Sequence, residues 1–441
     1  MQHSLTLSFS ADRPLTGEAV LPGDKSLSHR AALFAALAEG VSVVDRFLVS
    51  GVTRAMLNAL TALGVAWRLE ENRLTVPGVG LHGFTPPTAP LDCGNSATTI
   101  RMLTGALAAA GTPCVLDGSE GLRKRPMDRI TEPLRAMGVR ISTPPNHCAP
   151  ITLAARSPDV PLRAQAYTLP VASAQVKSCL ILAALAADGE TVLREPGPSR
   201  DHTERLLASM GADIRVCGPE VRVTPLARPL TPLALTLPGD ISSAAFLLVA
   251  AALTPGSTIL LRDVGLNPTR TGILDALREM GADLTVENPQ TAAGEPVGDL
   301  RLTAAPLQAV RVEGERVVRM IDEFPVFAVA ACFARGVTEV RDAEELRYKE
   351  TDRIAVLCAE LRALGARVEE RRDGFMIHGG SLRGGVCEAH GDHRLAMSLA
   401  LAGLAAPEPV SVRHAEILNE SFPDFVTQLR ALGATVAEIR G

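Results

Sequence analysis

The stretch HTERLLASMGADI (residues 202–214) puts apolar residues at helical spacing, then a hydrophobic residue, a glycine and a strand-like tail. The same ending occurs six times: ALGVAW at 62–67, AMGVRI at 136–141, SMGADI at 209–214, EMGADL at 279–284, ALGARV at 363–368 and ALGATV at 431–436. Gly64, Gly138, Gly211, Gly281, Gly365 and Gly433 fit the left-handed residue that closes a helix before a strand. Ahead of each lies a more apolar helix: SHRAALFAALAEG, ATTIRMLTGALAAAG, AQVKSCLILAALAADG, SSAAFLLVAAALTPG, EFPVFAVAACFARG and HRLAMSLALAGLAA. These are apolar nearly all round, so each is expected in an interior covered on every side. With short β-like segments such as LRLTAA and GFMIHG between them, the unit is about 70 residues of alternating strand and helix.

Around this repeat the composition is ordinary. A chain of 441 residues has two domains as its natural prior, and 46% hydrophobic with 21% charged residues fits a globular protein. The apolar run from Ala244 to Leu253 is too short for a membrane span, and the N-terminus lacks a signal or transit pattern. The expected place is the cytoplasm, with no membrane partner. Eight cysteines form no C-x-x-C pair, which suits free, mostly buried thiols in a reducing compartment. A net charge of −5 argues against a polyanion binder, and 3% aromatics leave few platforms for stacking bases. Nucleic acid is therefore not an expected partner. Any anion-binding surface must be local.

Leu237-Pro238-Gly239-Asp240 repeats the cue of Leu21-Pro22-Gly23-Asp24, with three units between the two elements and three after the second. The reading is an α/β protein of two inverse lobes, each of three βαβαββ units, joined by a two-stranded hinge. The first lobe runs over 22–237; the second takes 1–21 plus 238–441. Both LPGD turns would then face one cleft. The buried helices open with polar residues that differ from copy to copy. Lys25, Ser26, Ser28 and Arg30 open the first; Asn95, Ser96, Thr98, Thr99 and Arg101 the second; Ser173, Gln175 and Lys177 the third. Asp240, Ser242 and Ser243 open the fourth, Asp322 and Glu323 the fifth, and Asp392, His393 and Arg394 the sixth. Free N–H groups and the helix dipole make such ends suitable for phosphates and carboxylates. Ser, Thr and Asp there are also ordinary N-caps. Three successive helices opening with cations plus hydroxyls favour an anion site. Two further runs concentrate charge: GLRKRPM, with Arg123, Lys124 and Arg125 before a helix, and ELRYKETDR, with Glu345, Arg347, Lys349, Glu350, Asp352 and Arg353. A solvated loop and a solvated helix face are the plain readings of these; the other is that both runs sit at repeat positions which a closed two-lobed cleft would bring together.

In order, GDKSLSHR, GNSATTIR, RKRPM, SAQVK, SRDHTER, GDISSAAF, IDEFP, LRYKETDR and GDHRLAM resemble the motifs of the 5-enolpyruvylshikimate-3-phosphate synthase family over roughly residues 20 to 425. The resemblance implies the two-lobed fold read above and a monomer that closes over its substrates without a cofactor or metal. It implies transfer of the enolpyruvyl group of phosphoenolpyruvate to the 5-hydroxyl of shikimate 3-phosphate, releasing phosphate. Residue by residue, it assigns Lys25, Ser26, Arg30, Ser173, the Ala174 backbone, Gln175, Arg200, Asp322 and Lys349 to shikimate 3-phosphate. It assigns Lys25, Ala97, Arg125, Gln175, Arg353 and Arg394 to phosphoenolpyruvate. Asp322 is implied as the base at the 5-hydroxyl and Glu350 as the acid at the methylene, from opposite lobe elements, with Lys25 catalytic beside them. A neutral Glu350 would need burial or a nearby anion.

Two departures stand out. Ala97 occupies a place where many members carry Gly, and its methyl implies reduced sensitivity to glyphosate, which is slightly longer than phosphoenolpyruvate. In NESFPDF, Glu420 stands where one branch has Lys, so no site role is assigned there. Two other functions compete: enolpyruvyl transfer to a UDP-sugar, and a non-catalytic anion-binding repeat protein. The first normally has Lys-Asn at Lys25-Ser26 and a reactive Cys where Glu120 stands; Cys114 reads as structural. The second gains nothing from acids such as Asp322 and Glu350. Asp201, His202 and Glu204 look ligand-like but span one helix start, and capping with salt links is the favoured reading.

Overall fold

The computed structural model describes residues 5–440, which divide into two compact units. The central unit is Gly23–Leu237 with Thr291–Glu295; the flanking unit takes the chain up to Pro22, Pro238–Gln290 and the residues from Pro296 on. This division departs from the sequence-based boundaries at Pro22 and at residues 291–295. Those five residues group with the central unit, where His202 Nδ1 lies 2.8 Å from Glu295 Oε1 and Arg205 donates to the Gly294 carbonyl at 2.9 Å.

The central unit carries α1 (Lys25–Leu37), α2 (Gly51–Ala62), α3 (Ala97–Ala110), α4 (Asp128–Ala136), α5 (Ala174–Ala184) and α6 (His202–Ser209). The flanking unit carries α7 (Ile241–Leu253), α8 (Gly272–Glu279), α9 (Glu315–Arg319), α10 (Phe324–Cys332), α11 (Arg353–Ala363), α12 (His393–Ala402) and α13 (Phe425–Leu432). Helices α1, α3, α5, α7, α10 and α12 are the ones that are apolar nearly all round beyond their polar starts, and every residue of α7, α10 and α12 is buried. In the central unit α3 and α5 approach so closely that a Cβ on Gly105 would stand 2.2 Å from the Cys179 carbonyl oxygen. Only glycine fits there. The outer helices bury one face. All six glycines singled out in the sequence have positive φ, from 82° at Gly64 to 111° at Gly433, ending each outer helix as its sequence requires.

Among the described residues strands form six sheets of four; four have the order first, second, fourth, third of a βαβαββ run, and in the other two a strand from far along the chain takes the first or the fourth place. Residues 91–153 show why. Leu91–Asp92 pairs parallel with Cys114–Asp117, which demands the crossover that α3 supplies; Ile141–Ser142 and Ile151–Leu153 then close the sheet as antiparallel neighbours. Three sheets borrow a strand from far along the chain. Thr16–Val20 lies parallel to Thr258–Gly265, and Ala234–Thr236 lies parallel to Glu39–Asp45. Leu5–Ser10 runs antiparallel to both Val410–Arg413 and Thr435–Arg440. Each LPGD element directly follows a borrowed strand and carries the chain into the other unit.

Among the described residues no helix is long and apolar enough to cross a membrane. The eight cysteines are free thiols, and only Cys217 is exposed.

Candidate active site: two clusters of charged helix starts

In the central unit the starts of α1, α3 and α5 are tied to one another by side chains. Asp24 caps α1 by accepting from the Leu27 amide at 2.8 Å, which leaves Lys25 and Ser26 half-buried on the first turn. Ser96 caps α3, and Ser173 caps α5. Gln175 donates to Thr98 Oγ1 at 3.0 Å and accepts from Arg101, whose other terminal nitrogen donates to the Pro126 carbonyl at 2.9 Å. That last bond holds the loop after Arg125 against α3. The same loop is pinned upstream, where Ser119 donates its amide to the Gly94 carbonyl at 2.8 Å. Arg123 and Lys124 turn outward to Asp117 and Glu120, whereas Arg125 is half-buried. The basic run is thus split: two surface pairs and one inward-turned arginine.

Arg30 is only 2% exposed. Its guanidinium donates to Thr203 Oγ1 at 2.7 Å, the Ser26 carbonyl at 3.0 Å and Ser178 Oγ at 2.9 Å. Burial lowers its pKa to about 10, against the pull of Glu204 and Asp24, so it stays charged at neutral pH. Arg200 Nη1 reaches Ser26 Oγ at 3.5 Å. Beneath these groups Lys177 is buried between Glu195 and Glu204, both at 2.7 Å.

In the flanking unit one arginine organises the charged groups. Arg353 is 1% exposed; it donates from Nε to Asp392 Oδ2 at 2.7 Å, from Nη1 to Asp322 Oδ1 at 3.3 Å and from Nη2 to Glu350 Oε2 at 2.7 Å. Burial by itself would lower its pKa; Asp392, Glu350 and Asp322 outweigh that and raise it. Lys349 Nζ lies 3.9 Å and Arg394 Nη2 3.7 Å from Asp322. Behind them, Arg394 faces Glu323 at 3.9 Å, Glu323 accepts from Ser242, and Arg270 donates to Ser242 Oγ at 2.9 Å. Three carboxylates thus stand around one fixed cation, with a lysine and a second arginine around Asp322. Such a set can move protons and stabilise an anion.

The family model described as "EPSP synthase (3-phosphoshikimate 1-carboxyvinyltransferase)" matches residues 10–429. The chain belongs to this family. A 3-phosphoshikimate 1-carboxyvinyltransferase of Syntrophomonas wolfei is 47% identical over 426 residues, covering 96% of this chain and 98% of the relative. One from Salinibacter ruber is 48% identical over 419 residues, covering 94% and 96%. The solved EPSP synthase of Acinetobacter baumannii superposes with a TM-score of 0.88 at 39% identity, covering 99% of this chain and 100% of that one.

Against the EPSP synthase motifs, the structure bonds Ser26 to Arg30 and Arg200, and Gln175 to Arg101, within the central unit, with Lys25, Ala97, Arg125, Ser173 and Ala174 on the same helix starts or the adjoining loop. Asp322, Lys349, Glu350, Arg353 and Arg394 gather in the flanking unit. Asp322 and Glu350 therefore stand ahead of α10 and α11 of one unit, not on opposite lobes, because Arg353 holds both. The charged run 345–353 is no solvated helix face: it is a short 3-10 turn, Glu344–Tyr348, leading into a helix whose first residue is buried. Asp392 and Arg101 were read only as helix-start residues; each proves to anchor a site arginine or glutamine, a role that needs three-dimensional contacts to see. Asp201, His202 and Glu204 are each in a salt link, with Arg205, Glu295 and Lys177. Cys114 is a buried strand thiol whose pKa is pushed up to about 12 by burial, as a structural cysteine requires.

Proposed function

We propose that this chain transfers the enolpyruvyl group of phosphoenolpyruvate to the 5-hydroxyl of shikimate 3-phosphate, releasing inorganic phosphate. The observation that carries the reading is the Arg353 cluster, in which one buried guanidinium presents both acids of an addition–elimination reaction, within a chain of the EPSP synthase family. In the addition, the 5-oxygen bonds to C2 of phosphoenolpyruvate, its proton goes to Asp322, and C3 gains a proton from Glu350. The product is a tetrahedral ketal phosphate. In the elimination the C2–O bond to phosphate breaks, the leaving phosphate takes the proton held by Asp322, and Glu350 takes back a methyl proton, restoring the double bond. Lys25, Lys349, Arg125 and Arg394 offset the phosphate and carboxylate charges. The Ser173 hydroxyl, the Ala174 amide at the start of α5, Gln175, Ser26 and Arg200 hold the shikimate 3-phosphate, as a helix start holds an anion.

Arg30 and Arg353 belong to the same assignment by a different route. Each nitrogen of the two guanidiniums donates to a protein acceptor, so they hold Ser26 and the two acids in place and contribute positive potential. The chain acts as a monomer without cofactor. Seven buried free thiols and one exposed one suit the reducing cytoplasm. Phosphate release tests the function: shikimate 3-phosphate plus phosphoenolpyruvate must liberate phosphate, and phosphoenolpyruvate plus UDP-N-acetylglucosamine must not. Release with the sugar nucleotide alone would replace this reading with the UDP-sugar reaction.

A further inference from the structure

Between α1 and α3 of the central unit lies a histidine to which the reaction above gives no part. His29 is buried, one turn beyond Lys25 on α1. Its Nδ1 is 2.8 Å from the Lys25 carbonyl oxygen, and its Nε2 is 3.2 Å from the hydroxyl of Ser96, the N-cap of α3. A carbonyl only accepts, so Nδ1 must carry hydrogen. In a neutral ring Nε2 is then bare and accepts the Ser96 hydroxyl proton. That leaves the Ser96 oxygen free to accept from the Thr99 amide at 3.1 Å and the Thr99 hydroxyl at 2.8 Å. Burial is the largest influence on the ring and lowers its pKa to about 4; the Lys25 and Arg30 charges add to this, and the backbone of Lys25 and Val52 opposes it. Neutral imidazole is the form in which the ring keeps both bonds while the Ser96 oxygen keeps the two it accepts from Thr99.

We infer that His29 is a positioning residue: as the Nδ1–H tautomer it locks the helix start that carries Lys25 to the helix start that carries Ala97. The two ends of the ring have different roles, and only one protonation state serves both. Lys25 follows the α1 cap directly and Ala97 follows Ser96 directly, so the imidazole fixes the distance between two groups assigned to phosphoenolpyruvate. Loss of the link leaves both helices in place, through the Arg30 bonds and the α3–α5 contact, but frees their first turns.

The inference rests on the proposed reaction for its kinetic consequence and not for its chemistry, so two measurements separate them. Long-range proton–nitrogen NMR on the ligand-free protein at pH 7, with His29 assigned by comparison with His29→Gln, should show the Nδ1–H tautomer. An Nε2–H ring or an imidazolium overturns the inference whatever the enzyme's activity. In steady-state kinetics His29→Ala should raise KM for phosphoenolpyruvate about three- to tenfold, the range set by a lost hydrogen bond, with KM for shikimate 3-phosphate within about twofold. His29→Gln, which keeps one donor and one acceptor, should recover most of the difference. Because Ser96 also caps α3, Ser96→Ala should raise KM by itself, and its effect in the His29→Ala background should be smaller than in the native chain by the share carried by the His29 link. A fall in kcat alone, with both KM values unchanged, would mean that His29 only supports folding and would overturn the assignment.

Discussion

At Arg353 a single guanidinium sets the spacing of Asp322, Glu350 and Asp392, and none of the three can shift without breaking a bond to it. Such burial is stable only while each donor is matched, since an unmatched buried charge costs several kcal/mol. Lysine in its place would keep the charge but lose the fork that reaches three carboxylates. Residue types announced a charged cluster at 345–353, and the order of motifs announced its family. Burial was not legible, because a run of alternating charges reads alike on a solvated face and around a buried hub. Ala97 is a different case, a single position whose proposed consequence rests on the family resemblance. Its side chain is buried on the first turn of α3. Ala97→Gly removes one methyl from the helix start proposed to hold phosphoenolpyruvate, and on that proposal the inhibition constant of glyphosate should fall by about tenfold, as expected for a clash relieved by one carbon. Inhibition assays on the two proteins at equal phosphoenolpyruvate decide it; an unchanged constant removes Ala97 from that wall.

The helices and strands were the most readable level. Six glycines after six amphipathic runs predicted six helix ends, and all six adopt positive φ. The reason is local: a left-handed residue needs only its own backbone and its immediate neighbours. Gly211 isolates this effect, since at φ 96° a Cβ would meet nothing within 4 Å. Gly211→Ala should therefore cost about 1–2 kcal/mol from backbone strain alone. Gly64→Ala should cost more, because a Cβ there would also lie 2.8 Å from Thr85 Oγ1. Urea denaturation of both variants measures the difference. Equal losses would mean that crowding at Gly64 relaxes freely. Strand partners were less legible than helix ends. Nothing local in Thr16–Val20 or Ala234–Thr236 says which sheet each will join, since pairing across most of the chain is set by the packed whole.

Over the whole molecule those borrowed strands decide which pieces can stand alone. The central unit is contiguous from Gly23 to Leu237 except for residues 291–295, and its own last strand, Ala234–Thr236, completes its first sheet. The flanking unit needs Leu5–Ser10 and Thr16–Val20, which lie on the far side of the central unit in sequence. A fragment of residues 23–237 should fold cooperatively by circular dichroism and urea titration. A fragment of 238–441 should not, until residues 1–22 are joined to it. Independent folding of 238–441 would show that the borrowed strands are dispensable. The repeat is legible in the sequence, because six copies of a pattern support one another, and so is the return of residues 1–21 to the second lobe; which sheet each distant strand joins is not.

The central claim is that two carboxylates held by Arg353 move the protons of enolpyruvyl transfer. Its most direct test is the single-turnover rate of phosphate release from shikimate 3-phosphate and phosphoenolpyruvate, measured for the native chain, Asp322→Asn and Glu350→Gln. Each variant should be slower by about a hundredfold or more, the contribution expected of a positioned acid or base, while remaining folded. Near-native rates in both would contradict the account.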